Sequence, residues 1–239
     1  MGQRSLFRAF FAAAGSTVFA DDLFFQKTMF LLGGSMERMS ENLGRIYDRV
    51  FCAEYGTANP LYVRCCALIA EEIARRFQPA SAVDWGCGAG LHVAALAEFG
   101  VHVLGVDGVE WPEEFRAPGI EFRRVDLSLA CPEGIVPGEY DLSLCLDVME
   151  HLPESDSQVA LENITRGARL LLLSCAPPGQ GGHHHVNEQP RRYWIKRLAD
   201  MGWVYDRRAT GQMERSFFAR RDELPLSWMY HNLCVYRPS

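Results

Sequence analysis

Between residues 60 and 77 apolar positions recur every three to four residues: Leu61, Val63, Leu68, Ile69, Ile73 and Phe77 share one side, with Glu71, Glu72, Arg75 and Arg76 opposite. That spacing predicts an amphipathic helix, and Pro60 stands where a helix can begin. Beyond it the pattern changes to short apolar runs, Ala82 to Asp84, Val101 to Val106, Tyr140 to Leu146 and Leu170 to Ser174, separated by helical stretches. Such alternation predicts an α/β fold with a parallel sheet covered on both faces. Two further runs, Trp203 to Tyr205 and Leu233 to Tyr236, have no clear crossover helix between them and are read as an antiparallel pair. Ahead of the alternating region, Ser5 to Leu32 is rich in Phe, Leu and Ala, is interrupted by Asp21, Asp22 and Lys27, and stops at Gly33-Gly34. This reads as two short helices. The chain therefore divides into an N-terminal helical arm or lid, residues 1–58, and an α/β domain, residues 59–239.

Composition narrows the classes. With 239 residues, 48% hydrophobic and 23% charged, the chain has the make-up of one globular domain with an extension. A formal net charge of -6 gives no basic footprint for nucleic acid. The eight cysteines form no CxxC pair and no zinc spacing, which fits a reducing, cytoplasmic setting. Arg4 and Arg8 precede an apolar run, but it is short and broken by Gly15, Ser16 and Thr17, so an ordered arm is preferred to a signal peptide. No stretch is apolar enough to span a membrane. The Phe-rich arm packs on the sheet in this reading, with a homodimer contact, a cover over an apolar acceptor or contact with a membrane surface as alternatives.

The strongest chemical signal is Val83-Asp84-Trp85-Gly86-Cys87-Gly88-Ala89-Gly90, an apolar strand running into a glycine turn and then a helix. Glycine there permits a tight turn and lets a ligand approach the backbone. The register is GxGxG, with Leu91 where the dinucleotide fingerprint requires its third glycine, so a pyrophosphate clamp is disfavoured. Asp107 follows at the end of the next apolar run, where a carboxylate can accept hydrogen bonds from two ribose hydroxyls. Asp126-Leu127 comes after a presumed third strand, and Tyr140 to Asp147 leads into Val148-Met149-Glu150-His151-Leu152-Pro153.

In order and spacing, residues 83–90, 107, 126 and 140–153 resemble the successive motifs of class I S-adenosylmethionine-dependent methyltransferases. The resemblance covers roughly residues 60 to 205. It implies a Rossmann-like, seven-stranded, mostly parallel sheet with an antiparallel last strand. It also implies S-adenosylmethionine as methyl donor, with Asp84, Gly86, Cys87 and Gly88 at its methionine end and Asp107 on its ribose. Asp126 and Leu127 would lie by its adenine, and Cys145 and Leu146 at the strand edge near the methionine.

Methyl transfer from a sulfonium needs an acceptor lone pair in line with the methyl, and a base only where the acceptor must lose a proton. Two segments offer candidates. Asp147-Val148-Met149-Glu150-His151 resembles the acidic-x-x-Glu-His element that holds a divalent cation in ubiquinone-pathway O-methyltransferases and small-RNA terminal methyltransferases. The same run also serves to begin a helix, and that reading is preferred, so no metal is assigned and a cation stays an alternative. The second segment is the loop from Pro177 to Asn187 with His183-His184-His185, of which one or two can face a site; His183 and His185 share a side if extended. His151, His183 and His185 are the candidate catalytic residues. His92 and His102 read as structural, and Tyr47, Tyr55 and Trp111 as core, with packing against the donor's adenosine or closing a lid as alternatives. The expected activity is methylation of a small-molecule acceptor, on oxygen, against two competitors: a non-enzymatic regulatory subunit that binds the same donor, and an NAD-dependent oxidoreductase.

Overall fold

A computed structural model describes residues 47–136 and 139–239, all within a unit that runs from Leu43 to Ser239. The helices predicted between Ser5 and Leu32, and with them the predicted dimer contact of the arm, lie outside the described residues. The part of the predicted arm that is described holds helix α1, Arg49–Glu54, capped by Asp48, whose side chain accepts from the Val50 and Phe51 amides. It packs on the segment after the second strand: Thr57 Oγ1 donates to Glu114 O at 3.0 Å, and the Phe51 and Trp111 rings meet at 5.8 Å.

Helix α2, Pro60–Phe77, starts and stops where the sequence signals it should. Asn59 accepts from the Leu61 and Tyr62 amides, Pro60 occupies the first turn, Arg75 and Arg76 lie in the last, and Gln78 closes it in a left-handed conformation at φ 47°. Its buried stripe is Cys65, Cys66, Ile69, Ala70, Ile73 and Ala74. Glu72 is buried too, and Arg76 neutralises it through a close ion pair.

Seven strands follow: β1 Ser81–Trp85, β2 His102–Asp107, β3 Phe122–Arg124, β4 Leu142–Leu146, β5 Leu171–Ser174, β6 Trp203–Tyr205 and β7 Cys234–Pro238. They form one sheet in the order β3-β2-β1-β4-β5-β7-β6. β1 to β5 are parallel, and β7 runs antiparallel to both β5 and β6. Alternate residues feed two cores. Ala82, Leu142, Leu144, Leu172 and Val235 pack under α2, α3 (Leu91–Ala97) and α6 (Arg207–Ala219). Val83, Trp85, Val106, Cys145, Leu171 and Leu173 pack under α4 (Ser157–Thr165) and α5 (Arg191–Asp200). The predicted two-faced parallel sheet and antiparallel final strand are both present.

One expectation fails. A helix does connect β6 to β7: α6, followed by the short α7, Trp228–His231. Arg207, Arg208, Gln212, Glu214 and Arg215 mask its apolar stripe, yet Ala209, Met213 and Phe217 recur every fourth residue and are buried. The strands pair antiparallel all the same, because the connection returns β7 between β5 and β6.

The chain order reverses between β1 and β4, which sit side by side at the centre of the sheet. Ligands of open α/β sheets bind in the crevice beyond the strand ends at such a reversal. Here β1 runs into the glycine turn at Gly86, and β4 is followed directly by Asp147. Among the described residues no helix is long and apolar enough to cross a membrane, and all eight cysteines are buried thiols.

Candidate functional site

The glycine turn is built as its composition demands. Gly86, Gly88 and Gly90 have φ of 77°, 54° and 72°, a region that side chains rarely enter. Space is as restrictive as conformation: a Cβ on Gly86 would lie 2.4 Å from Val148 Cγ2, and one on Gly88 3.2 Å from Trp111 Cζ2. Val148 belongs to the loop after β4, so the two loops at the reversal point touch through glycine. Gly86→Ala is expected to lower stability by about 2–4 kcal/mol, from left-handed strain and overpacking. Adding Val148→Ala should restore part of that loss in thermal melts; a double variant no more stable than the single one would refute the packing account.

Asp107 ties the turn to the end of β2. Its Oδ2 accepts from the Gly88 amide at 2.8 Å and its Oδ1 from the Val109 amide at 2.9 Å. Asp126 stands beside it, because the Val125 amide donates to the Asp107 carbonyl at 2.9 Å; its own Oδ1 accepts from Ser128 N and Oγ. The side chains of Leu127 and Cys145 point into the core instead, leaving their backbones as the only groups that can face a ligand. Leu146 is half-buried on the opposite face from Cys145. Cys87 is buried with its sulfur against Gly105, where an added Cβ would be 2.9 Å away.

Asp84 is 2% exposed, and its Oδ2 has no hydrogen-bond partner. Burial, and secondarily the charge of Asp107, push its carboxyl up to about 7. The folded state therefore prefers the neutral acid. The stability this contributes is fully present below the unfolded value near 4 and is lost as pH rises through about 7. Relative to Asp84→Asn, the wild type should lose on the order of a few kcal/mol between about pH 4 and 8. Urea midpoints across that range measure the difference, and parallel pH profiles for the two proteins would refute it.

Across the crevice, β4 is followed by Asp147 at φ 55°, which accepts from Ser174 Oγ at 2.9 Å. A single 3-10 turn, Met149–His151, then directs Glu150 inward. Glu150 is fully buried: Oε1 accepts from the Ala176 amide at 3.1 Å, and Oε2 has no partner. Burial raises both carboxyls, Glu150 further because Asp147 is close. His151 Nδ1 is likewise buried without a partner, and burial, then the neighbouring His185, hold this imidazole neutral down to about 4.

The histidine loop folds onto this turn. The Val186 and Asn187 amides donate to the Glu150 carbonyl at 2.8 and 3.1 Å. The His185 ring meets His151 edge-on at 5.0 Å, and one ligand atom from each of Glu150, His151 and His185 lies within 4.8 Å of the others. His183 does not join them; its ring lies 5.2 Å from Phe51. The loop is not extended as the shared side of His183 and His185 required: His184 takes a left-handed φ of 55°, which separates its two neighbours.

Two more residues belong to the site: Tyr47, which the sequence offered only as core or lid, and Glu188, which was missed. Tyr47 lies edge-on to His151 at 6.1 Å, and burial, then Asp107 and Glu150, push its phenol up to about 12. It thus bridges the glycine-turn side and the histidine side of the crevice. Glu188 holds His185 Nδ1 at 2.9 Å; a carboxylate three residues after a histidine was the available signal. His92, read as structural, is half-buried with its Nε2 shielded and without a hydrogen-bond partner, and burial lowers its pKa to about 4.

The comparisons bear on the family and the fold. A family model described as "Methyltransferase domain" matches residues 59–217, well over half the chain. The ubiquinone biosynthesis O-methyltransferase of Acinetobacter baylyi is 29% identical over 119 residues, 46% of this chain and 45% of the relative. That of Methylococcus capsulatus is 36% identical over 84 residues, 33% and 35% respectively. The matched segment thus spans less than half of either relative. Among solved structures, the Burkholderia thailandensis 1,6-didemethyltoxoflavin-N1-methyltransferase aligns at TM-score 0.52 with 17% identity, covering 95% of this chain and 93% of that one. Magnesium protoporphyrin IX methyltransferase from Synechocystis, solved with bound S-adenosylmethionine, gives 0.50 with 19% identity, covering 94% and 100%. At these identities the structures establish the fold. The chain belongs to the methyltransferase-domain family and has the class I S-adenosylmethionine-dependent methyltransferase fold.

Proposed function

We propose that this protein transfers the methyl group of S-adenosylmethionine to a hydroxyl of a small-molecule acceptor, and that Glu150, His151 and His185 hold a divalent cation beside the transfer site. The observation that carries the reading is the convergence of one ligand atom each from Glu150, His151 and His185 beyond the end of β4, in a cluster where Glu150 Oε2 and His151 Nδ1 are buried without a partner. Leaving such atoms without a partner costs about 1–3 kcal/mol each, and a mixed carboxylate and imidazole set suits Mg²⁺, Mn²⁺ or Zn²⁺. This reading departs from the preference for a metal-free helix start, and the support for doing so is the convergence of the three ligand types.

In this reading Asp84 faces the ammonium of the donor's methionine end, a charge that would supply the partner its Oδ2 lacks. Gly86 and Gly88 let the donor lie against the backbone, Asp107 takes the ribose hydroxyls, and Asp126 with the backbone of Leu127 borders the adenine. A cation held by Glu150, His151 and His185 would supply Lewis-acid chemistry, lowering the pKa of an acceptor hydroxyl so that its proton could be lost to bulk solvent. Tyr47, Phe51, Trp111 and His183 wall the crevice and exclude water from the sulfonium. His151 and His185 thereby pass from candidate bases to ligands, and His183 to a contact for the acceptor. The match to ubiquinone O-methyltransferases supports oxygen as the atom methylated.

Calorimetric titrations of the full chain with S-adenosylmethionine, NAD and Mn²⁺ test the reading. Binding of the first and third without the second supports it. Failure to bind S-adenosylmethionine refutes the donor assignment, and failure to bind Mn²⁺, Mg²⁺ or Zn²⁺ refutes the cation.

A further inference from the structure

Residues 177–188 contain Gly179, Gly181, Gly182 and three histidines and little that can be buried, a composition that leaves many backbone states open. One carboxylate organises them. Glu188 Oε2 accepts from the Gly179 amide at 2.7 Å, and its Oε1 accepts from the Gly181 amide at 2.7 Å while lying 2.9 Å from His185 Nδ1. Both partners of the last contact are mostly shielded, with side-chain exposures of 12% for His185 and 18% for Glu188. Gly182 gives the ring its room, since a Cβ there would lie 2.3 Å from His185 Nε2. The far end of the loop is fixed independently, through the Glu150 carbonyl and through Asn187 Nδ2, which donates to Ser157 Oγ at 3.0 Å.

An ionised carboxylate is an acceptor only, so the imidazole nitrogen facing it must carry the hydrogen. In the neutral imidazole the other ring nitrogen then keeps its lone pair. We propose that Glu188 is a positioning residue: it fixes His185 as the Nδ1–H tautomer and gathers the 177–188 loop, so that Nε2 is the nitrogen His185 offers to the Glu150–His151 cluster. The role of that nitrogen as a ligand rests on the cation reading above; the tautomer assignment does not. A carboxylate behind a ligating histidine both orients the ring and raises its basicity.

Nitrogen-15 NMR of the metal-free, full-length protein reads the tautomer directly. Wild-type His185 should show a pyrrole-type Nδ1 and a pyridine-type Nε2. Glu188→Ala should shift it toward the Nε2–H form that free imidazole side chains favour, with Glu188→Gln between the two. Mn²⁺ affinity should fall about 10- to 100-fold in Glu188→Ala, while S-adenosylhomocysteine affinity changes less than about threefold, as expected where Glu188 makes no contact with the glycine turn or Asp107. A wild-type His185 already in the Nε2–H form, or a tautomer unmoved by either substitution, overturns the proposal. A wild type that shows the Nδ1–H form and its loss in Glu188→Ala, but binds no Mn²⁺, supports the positioning role and removes the cation reading alone.

Discussion

Replacing Asp107 by alanine should weaken S-adenosylmethionine binding at least about 100-fold, with the fold retained. Asp107 sits at the end of β2 with both oxygens already engaged by the Gly88 and Val109 amides, so its carboxylate is held in one orientation. Each charge-assisted hydrogen bond to a ribose hydroxyl is worth roughly 1.5–3 kcal/mol, and two of them account for the predicted loss. Alanine also frees the Gly88 amide, which loosens a turn that must approach the donor closely. Asp107→Asn keeps the shape and one acceptor oxygen, so it should fall between the two. Calorimetry with S-adenosylhomocysteine measures all three, and circular dichroism checks the fold. An alanine variant within threefold of wild type would show that this carboxylate does not hold the donor.

The second large effect has opposite signs in function and stability. Glu150→Gln should abolish Mn²⁺ binding and reduce methyl transfer by at least about 100-fold, yet raise the melting temperature of the metal-free protein. Function falls because the amide offers a cation no charge. Stability rises because the wild-type carboxyl is fully buried beside Asp147, has one oxygen without a partner, and is driven toward its neutral form by burial and by that neighbour. Removing such a conflict commonly stabilises a protein while costing its activity. S-adenosylmethionine affinity should stay near wild type, which separates this site from that of Asp107. Should Glu150→Gln melt lower and still bind Mn²⁺, Glu150 would be a structural acid and nothing more.

The donor side of the crevice was legible because its requirements are local. A glycine turn announces itself by composition, and Asp84, Asp107 and Asp126 each follow or end an apolar run whose spacing places them at a strand terminus. The acceptor side was legible only as two fragments. The Asp147–His151 run could be read as ligands or as the start of a helix, and its conformation depends on Val186 and Asn187, distant in sequence, donating to the Glu150 carbonyl. Which histidine turns inward depended on the left-handed backbone of His184 and on Glu188, neither of which a periodicity argument reaches. Helix α6 escaped notice for a different reason, since its stripe of Ala209, Met213 and Phe217 is one residue wide and hidden among arginines.

The sequence by itself determined the α/β alternation, the amphipathic α2 with its caps, and the carboxylates at the strand ends, because these follow from hydrogen-bonding periods and steric rules that operate within a few residues. Only the tertiary structure decided that β7 enters the sheet between β5 and β6, that the side chains of Cys145 and Leu127 face the core, and that Glu150, His151 and His185 converge while His183 turns to Phe51. The physical reason is that burial is a property of the assembled fold. A carboxylate or imidazole becomes strained, neutral or ready for a cation only when segments far apart in the chain close over it and exclude water.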